Sequence, residues 1–149
     1  MKQWPKRLHH HVPSWVEPGN LFHIRIRVHP TYTGDLCTEP LGHQLLQSVD
    51  FYHGRRTWFV RLFLLMPEHA HALLAFPRDS SMSKTIGDWK RYQDTHHGVG
   101  WQDNYFDHRI RNDESLEEKV AYIRMNPVVK GLCAAPEDWP WVIEHPLRG

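Results

Sequence analysis

Two strongly apolar segments, residues 58–66 (WFVRLFLLM) and residues 69–76 (HAHALLAF), are separated only by Pro67 and Glu68. The first segment is rich in aromatic and aliphatic side chains over a length typical of a buried central strand. Two antiparallel strands can be joined by so short a connection, whereas parallel strands need a crossover of a dozen or more residues. We therefore predict that the two segments form neighbouring antiparallel strands.

The remaining segments predict how this pair of strands is completed. Residues 21–29 alternate between apolar side chains and arginine or histidine, which predicts a half-buried strand with a basic exposed face. Apolar positions at helical spacing predict helices over residues 42–52, 80–95 and 115–125, and the aromatic-rich residues 101–110 predict a short fourth strand. This order predicts the α+β class: a ferredoxin-like antiparallel sheet with helices packed on one face and a C-terminal helix that carries a tyrosine.

Length and composition limit the kind of protein. The 149 residues, 40% hydrophobic and 23% charged, suit one globular domain over residues 1–149, with the proline-containing residues 1–20 as an irregular arm. No segment approaches the roughly 18 apolar residues that span a bilayer, and the basic N-terminus lacks the apolar part of a secretion signal. Cys37 and Cys133 offer no zinc motif and suit free thiols in a reducing compartment. We expect a cytoplasmic protein without a membrane partner.

The charge balance says little about partners, because 18 basic residues face 17 acidic ones. Any DNA-binding surface must therefore be local. The candidates for phosphate contacts are Arg25, Arg27, Lys84, Lys90, Arg91, Arg109 and Arg111. Such charges more often form solvated surface. Trp89 and Tyr105 are candidates for stacking on unpaired bases, with a place in the core as the alternative.

His69 and His71 are two positions apart in a predicted strand, so their imidazoles project from the same face. Two neighbouring imidazoles can ligate one metal ion. With 13 histidines in the chain, about one such pair is expected by chance, so the pair alone carries little weight. The alternative is two polar side chains on an exposed sheet face.

The third predicted helix supplies further chemistry. Ser115 and Glu118 form a capping box at its start, and Pro127 predicts its end because the residue before a proline is disfavoured in the helical conformation. Tyr122 and Asn126, at i and i+4, share a face outside the apolar stripe. The helix therefore offers a nucleophile and an oxygen donor on one side. The alternative is a surface tyrosine and an asparagine that caps the helix end.

These groups can be combined into one mechanism. A phenol, with a pKa near 10, attacks a phosphodiester at neutral pH only if its negative charge is stabilised or its proton is removed. A divalent ion held by two imidazoles and an amide oxygen keeps open positions for phosphate oxygens. Such a donor set suits Mg²⁺ or Mn²⁺ and does not exclude Zn²⁺.

The segments LMPEHAHALLAF and YIRMNP, some fifty residues apart, together resemble the REP-associated tyrosine transposases, relatives of the single-tyrosine insertion-sequence transposases with a metal-binding HUH strand. The resemblance extends from about residue 12 to residue 141 and is weakest over residues 30–58. It implies that His69 and His71 ligate the metal, that Asn126 completes the metal site, and that Tyr122 forms a 5′-phosphotyrosine link and releases a 3′-hydroxyl.

The sequence departs from the family pattern at two positions beside the histidines. Ala70 replaces the usual valine or isoleucine, and Glu68 stands where asparagine is common. Alanine is expected to weaken packing behind the strand without removing a ligand. Glu68 adds a negative charge that either tightens metal binding or repels phosphate.

The resemblance implies an enzyme that cleaves and rejoins single-stranded or hairpin DNA of the REP palindrome type, as a monomer or a homodimer. Two alternatives stay open from the residues alone. One is a catalytically silent nucleic-acid-binding module that uses the basic face of residues 21–29. The other is a zinc hydrolase in which Glu68 or Asp107 joins the two histidines.

Overall fold

A computed structural model of the chain describes residue 16, residues 20–111 and residues 115–147. In chain order the elements are β1 (Phe22–Arg27), α1 (Leu41–Gly54), β2 (Phe59–Leu65), β3 (His69–Ala75), α2 (Met82–His97), β4 (Phe106–Arg109), α3 (Leu116–Arg124), α4 (Asn126–Val129) and β5 (Val142–Glu144). The arm predicted for residues 1–20 lies outside the described residues except at positions 16 and 20.

The five strands form one antiparallel sheet in the order β4-β1-β3-β2-β5. Strands β2 and β3 are direct antiparallel neighbours, as the short connection between them predicts. The first four strands with α1 and α2 make a β-α-β-β-α-β unit, which confirms the predicted ferredoxin-like α+β fold. The sequence did not predict β5, a three-residue strand that extends the sheet beside β2.

The two faces of the sheet are covered by different helices. On β3, Ala72 and Leu74 face a core that contains Leu45 of α1 and Trp89 of α2. The alternate residue Leu73 faces a second core formed with α3 and the C-terminal tail. Strand side chains alternate between faces, so the two histidines of β3 lie on the α3 side. Within the described part of the chain, no helix combines the length and apolarity that crossing a membrane requires.

Helix α3 is held by its apolar stripe, by an N-cap at its first turn and by an ion pair between its first turn and the sheet. The Ser115 hydroxyl accepts a hydrogen bond from the Glu118 amide at 3.1 Å, which is the N-cap that the sequence predicts. An irregularity in β2 lies beside Arg61, whose guanidinium is 3.4 Å from the carboxylate of Glu117 on α3 and 3.0 Å from Glu144 on β5. The Arg61 side chain is only 4% exposed. These contacts set the position of the helix over the second face.

The predicted helix end at Pro127 is only partly right. Helix α3 stops at Arg124, but after Met125 the chain makes a further helical turn, α4, with Pro127 in its first turn. Proline is tolerated there because a first-turn amide needs no acceptor within its helix. The Val129 amide donates to the Met125 carbonyl at 2.9 Å and bridges the two helices. Asn126 is consequently held within a nearly continuous helical path.

The aromatic residues considered for base stacking are accounted for by packing. Trp89 is fully buried and its Nε1 donates to the Ser48 hydroxyl at 2.9 Å, so its place is in the core. Tyr105 is half-buried, with its hydroxyl 3.2 Å from that of Ser83. The Trp89 ring is therefore excluded from stacking on a base, whereas Tyr105 packs at the edge of the core and its stacking on a base stays a prediction.

Candidate active site

The sheet register brings the histidines of β3 beside the basic residues of β1. Arg25 pairs with His71 and Arg27 pairs with His69, and paired residues share a face of the sheet. The predicted exposed basic face of β1 is therefore only partly right. Arg27 is exposed and Arg25 is half-buried, but His23 at the far end is buried. This face of β1 lies under α3, which turns it into the floor of a site.

Three imidazoles lie in contact on this floor. Nε2 of His69 is 3.2 Å from Nε2 of His71, and Nδ1 of His71 is 3.0 Å from Nε2 of His23. All three residues are less than a tenth exposed. Two nitrogen lone pairs repel at such distances, so each contact requires either a proton or a cation between the nitrogens.

Burial determines the charge of these imidazoles. It lowers the pKa of His69 to about 4 and that of His71 to about 3. The pKa of His23 is likewise lowered to about 4 by burial, with a smaller contribution from the charge of Lys119. Arg27 acts in the same direction on His69. All three rings are therefore neutral at pH 7, which is the state in which imidazole binds metal ions.

Asn126 reaches the same cluster from above. Its Nδ2 lies 3.3 Å from Nε2 of His71, although the two residues are 55 positions apart in sequence. Service as an oxygen ligand would require the amide to rotate by 180° about its terminal bond, which exchanges Oδ1 and Nδ2 in place. The chain thus brings one amide and two imidazoles within hydrogen-bond distance of one another.

Tyr122 lies one helical turn before Asn126 and is 67% exposed. It lines a cavity of about 560 Å³, a volume within the range of small-molecule sites. Arg25, Lys119 and His108 line the same cavity. The Arg25 guanidinium lies 4.8 Å from the centre of a phenylalanine ring, which restricts its movement. The cavity therefore combines an accessible phenol with side chains able to bind phosphate.

The donors fit a divalent ion in one measurable respect. Two nitrogens that each lie about 2.0–2.1 Å from one ion are separated by about 3.0–3.4 Å at the usual ligand angles. The observed separation of 3.2 Å between Nε2 of His69 and Nε2 of His71 falls in this range. Over the described ranges, no group of three or more His, Cys, Asp or Glu side chains is arranged to hold a metal ion. The amide of Asn126 would accordingly have to be the third protein ligand.

Three of the basic candidates lie on α2, on the opposite face of the sheet. Lys84 and Arg91 both pair with Asp88 of the same helix. Lys90 is buried, and its ammonium donates to the Gln102 carbonyl at 2.6 Å and to the next two carbonyls at 3.3 Å. The Lys90 charge therefore stabilises the loop before β4, and its contact with phosphate stays a prediction.

The other two candidates lie at the end of β4. Arg109 is opposite Phe22 and so lies on the α1 and α2 side, while Arg111 is an exposed residue just beyond the strand. Only Arg25 and Arg27 among the seven predicted contacts share the face of the two β3 histidines.

The carboxylates that the zinc-hydrolase alternative requires are not placed to join the histidines. Asp107 is opposite Ile24, whose side chain packs in the core beneath α1 and α2, so Asp107 faces away from the site. The Glu68 side chain is 70% exposed and forms a 3.9 Å ion pair with Arg27. Ala70 is buried on the far face of β3, where a small side chain removes volume from packing but no ligand.

Sequence reasoning missed His23 and Lys119 as parts of this site. The alternation of β1 did place His23 on the face of Arg25 and Arg27. Its contact with His71 depends on which strands are neighbours and on their register, however, and these strands are more than forty residues apart. Lys119 depends in the same way on where α3 packs.

Two sequence relatives of this chain have names of the same kind. No protein-family model matches the chain. The REP-associated tyrosine transposase of Escherichia coli strain K12 is 32% identical over 95 residues, which cover 60% of this chain and 56% of the relative. A Haemophilus influenzae protein, named provisionally as the same kind of transposase, is 24% identical over 98 residues, or 54% of this chain and 56% of the relative. The chain thus matches little more than half the length of these relatives.

Solved structures share the fold. A REP-associated tyrosine transposase bound to a REP hairpin superposes with a TM-score of 0.70 and 23% identity, over 89% of this chain and 81% of that one. A transposase-like protein of Deinococcus radiodurans gives a TM-score of 0.51 and 12% identity, over 84% and 98% of the two chains. In sequence, then, this chain is similar to proteins named REP-associated tyrosine transposases, the resemblance that the paired motifs indicated, and it shares the fold of one of them.

Proposed function

We propose that this chain is a metal-dependent, single-strand DNA transposase that cleaves and rejoins hairpin-bearing DNA through Tyr122. The observation that carries the proposal is the contact of Asn126 with His71, at 3.3 Å. It joins the helix that bears the tyrosine to the strand that bears the two histidines. The sequence relatives named as REP-associated tyrosine transposases, and the fold neighbour bound to a REP hairpin, support the same reaction and substrate class.

In the proposed reaction the Tyr122 oxygen attacks a phosphodiester of an unpaired strand. A bond forms between that oxygen and phosphorus, and the bond from phosphorus to the 3′ oxygen breaks. The phenol loses its proton and the departing 3′ oxygen gains one, which leaves a 5′-phosphotyrosine and a free 3′-hydroxyl. Attack by a 3′-hydroxyl in the reverse sense rejoins the strand and restores the tyrosine.

The residues of the cavity and of the neighbouring histidine cluster have separate tasks in this proposal. His69, His71 and Asn126 would hold a divalent ion, Mg²⁺ or Mn²⁺. When bound, such an ion supplies orientation of the scissile phosphate and charge neutralisation. Arg25 and Lys119 would bind the phosphates that flank the cut. The exposure of Tyr122 allows a strand to reach it without movement of the core.

The contact between Asn126 and His71 within one chain supports a site that a single chain assembles. We therefore propose that Tyr122 acts in cis and that a monomer is active. An extruded hairpin presents its unpaired bases and backbone without duplex melting, which suits an open cavity of this kind. We propose that the chain acts on such DNA in the cytoplasm.

The proposal is tested by trapping the covalent intermediate. Full-length protein is incubated with Mn²⁺ and a labelled REP-type hairpin carrying a single-stranded extension, and a denaturing gel is used to look for a protein–DNA adduct. Wild type is expected to form the adduct, and Tyr122→Phe is expected to bind the hairpin without forming it. Tyr92→Phe, at another exposed tyrosine on α2, is the matched control and should react like wild type.

The outcome separates the enzyme from a silent binding module. If the chain binds the hairpin but forms no adduct with Mn²⁺ or Mg²⁺, it is a catalytically silent nucleic-acid-binding module. An adduct that survives in Tyr122→Phe would place the nucleophile elsewhere. Removal of divalent ions with EDTA is expected to abolish the adduct in wild type.

A further inference from the structure

We propose that His23 is a positioning residue whose Nε2 accepts a hydrogen bond from Nδ1–H of His71. This bond fixes His71 in the tautomer that leaves its Nε2 lone pair directed at Asn126 and the metal position. The inference deepens the proposed function and rests on the metal site in it. It assigns a role in that site to a strand β1 residue outside the two motifs.

The position of His23 follows from the register of β1 and β3. Arg25 is opposite His71, so His23, two residues away on the same face, is its diagonal neighbour. The two rings are 5.3 Å apart between centroids and inclined by 32°, with 3.0 Å between the facing nitrogens. Phe106 of β4 meets the His23 ring edge-on, at 5.9 Å, and limits its rotation.

The contacts of His71 determine where its single proton lies. A neutral imidazole has one N–H donor and one acceptor nitrogen. Nε2 of His71 is 3.3 Å from Nδ2 of Asn126, an amide nitrogen that can only donate. With the amide nitrogen facing it, and with Nε2 of His69 as a second neighbour at 3.2 Å, Nε2 of His71 is the acceptor and Nδ1 carries the proton in the metal-free chain. The reversed orientation of the amide belongs to the metal-bound site. The group that faces Nδ1, at 3.0 Å, is Nε2 of His23, so His23 accepts and carries its own proton on Nδ1.

A metal ligand would require the same tautomer of His71. Coordination through Nε2 uses that nitrogen's lone pair, so the proton must again be on Nδ1. An acceptor at Nδ1 orients the imidazole and makes it a stronger base. Loss of such an outer partner typically weakens metal binding by roughly 10- to 100-fold. His69 differs, because its Nδ1 is buried without a hydrogen-bond partner in the structure.

The test uses two substitutions that differ in the acceptor. His23→Phe keeps a ring of similar size but removes the acceptor, whereas His23→Gln keeps a carbonyl oxygen near the position of Nε2. Mn²⁺ affinity of the full-length proteins is measured by isothermal titration calorimetry at pH 7.0. We expect His23→Phe to bind Mn²⁺ about 10- to 100-fold more weakly than wild type, and His23→Gln to bind within about threefold of it. His96→Phe, at an exposed position on α2, is the matched control and should bind like wild type.

A second measurement does not depend on a folded variant. Long-range ¹H–¹⁵N NMR spectra of metal-free wild type report which nitrogen of each imidazole carries the proton. We expect the proton of His71 on Nδ1 and that of His23 on Nδ1. A proton on Nε2 of His71 would overturn the inference whatever the variants do.

The possible results distinguish this inference from the proposed function. If His71→Ala loses Mn²⁺ binding but His23→Phe binds like wild type, the role of His23 is wrong and the metal site stands. If His23→Phe and His23→Gln are weakened equally, the acceptor is not the cause and the inference also fails. If wild type binds no divalent ion, the metal site of the proposed function fails, and the role of His23 fails with it.

Discussion

The histidine cluster under α3 makes the stability of the folded chain strongly dependent on pH. Burial lowers the pKa of His23 and His69 to about 4 and that of His71 to about 3. In the unfolded chain the pKa of histidine is about 6.5. Between these values the unfolded state binds more protons than the folded state. The stability contributed by these groups is therefore complete above about pH 6.5 and is lost as the pH falls below it.

The size of the effect follows from the two sets of pKa values. Between pH 7.0 and pH 5.5, each buried histidine lowers the free energy of unfolding by about 1 kcal/mol, and the three together by about 3–4 kcal/mol. This loss of stability depends little on the exact pKa values in the folded state, because an imidazole with any pKa well below 5.5 stays neutral in the folded chain at pH 5.5. A typical domain has about 5–15 kcal/mol of stability, so the loss is large.

The measurement is urea unfolding in EDTA at pH 7.0 and pH 5.5, followed by the fluorescence of the seven tryptophans. His71→Gln removes one titrating group and should reduce the difference in unfolding free energy between the two pH values by about 1 kcal/mol. His96→Gln, at an exposed site, is the control and should reproduce the wild-type difference. A wild-type loss of less than half the expected value would show that these imidazoles are hydrated and not buried as a group. An unchanged difference in His71→Gln would refute the assignment of the effect to this cluster.

Three further predictions follow from separate contacts. Arg25→Ala should weaken hairpin binding and reduce the slope of log affinity against log salt by about one, as measured by fluorescence anisotropy. Lys84→Ala, on the opposite face of the sheet, should change neither the affinity nor the slope. Equal effects of the two substitutions would show that Arg25 does not contact the DNA. Glu144→Gln weakens the closest ion pair of the buried Arg61 and should lower the free energy of unfolding by about 1–3 kcal/mol in urea titrations. An unchanged free energy of unfolding would mean that the Arg61 guanidinium does not need the Glu144 carboxylate as a partner. Ser115→Ala removes the N-cap of α3 and should cost about 1 kcal/mol in the same assay; stability equal to wild type would contradict the capping role.

Local chemistry determined the secondary structure and the candidate reactive groups from sequence alone. The two-residue connection Pro67–Glu68 was enough to predict adjacent antiparallel strands, since no other pairing can be reached across it. The cap at Ser115 and the i, i+4 spacing of Tyr122 and Asn126 depend only on residues that are close together in the sequence. Because the residues involved are close together in the sequence, these features could be predicted without knowledge of the fold.

The tertiary structure decided which side chains meet, because strand order, register and helix docking involve residues far apart in the chain. The same lysine-rich helix pattern could not distinguish the solvated Lys84 from Lys90, whose ammonium is buried against carbonyls. The alternation of β1 predicted an exposed face for His23, and only the docking of α3 buried it. The sequence by itself determined which groups could act, and their convergence at His71 required long-range packing that no local pattern encodes.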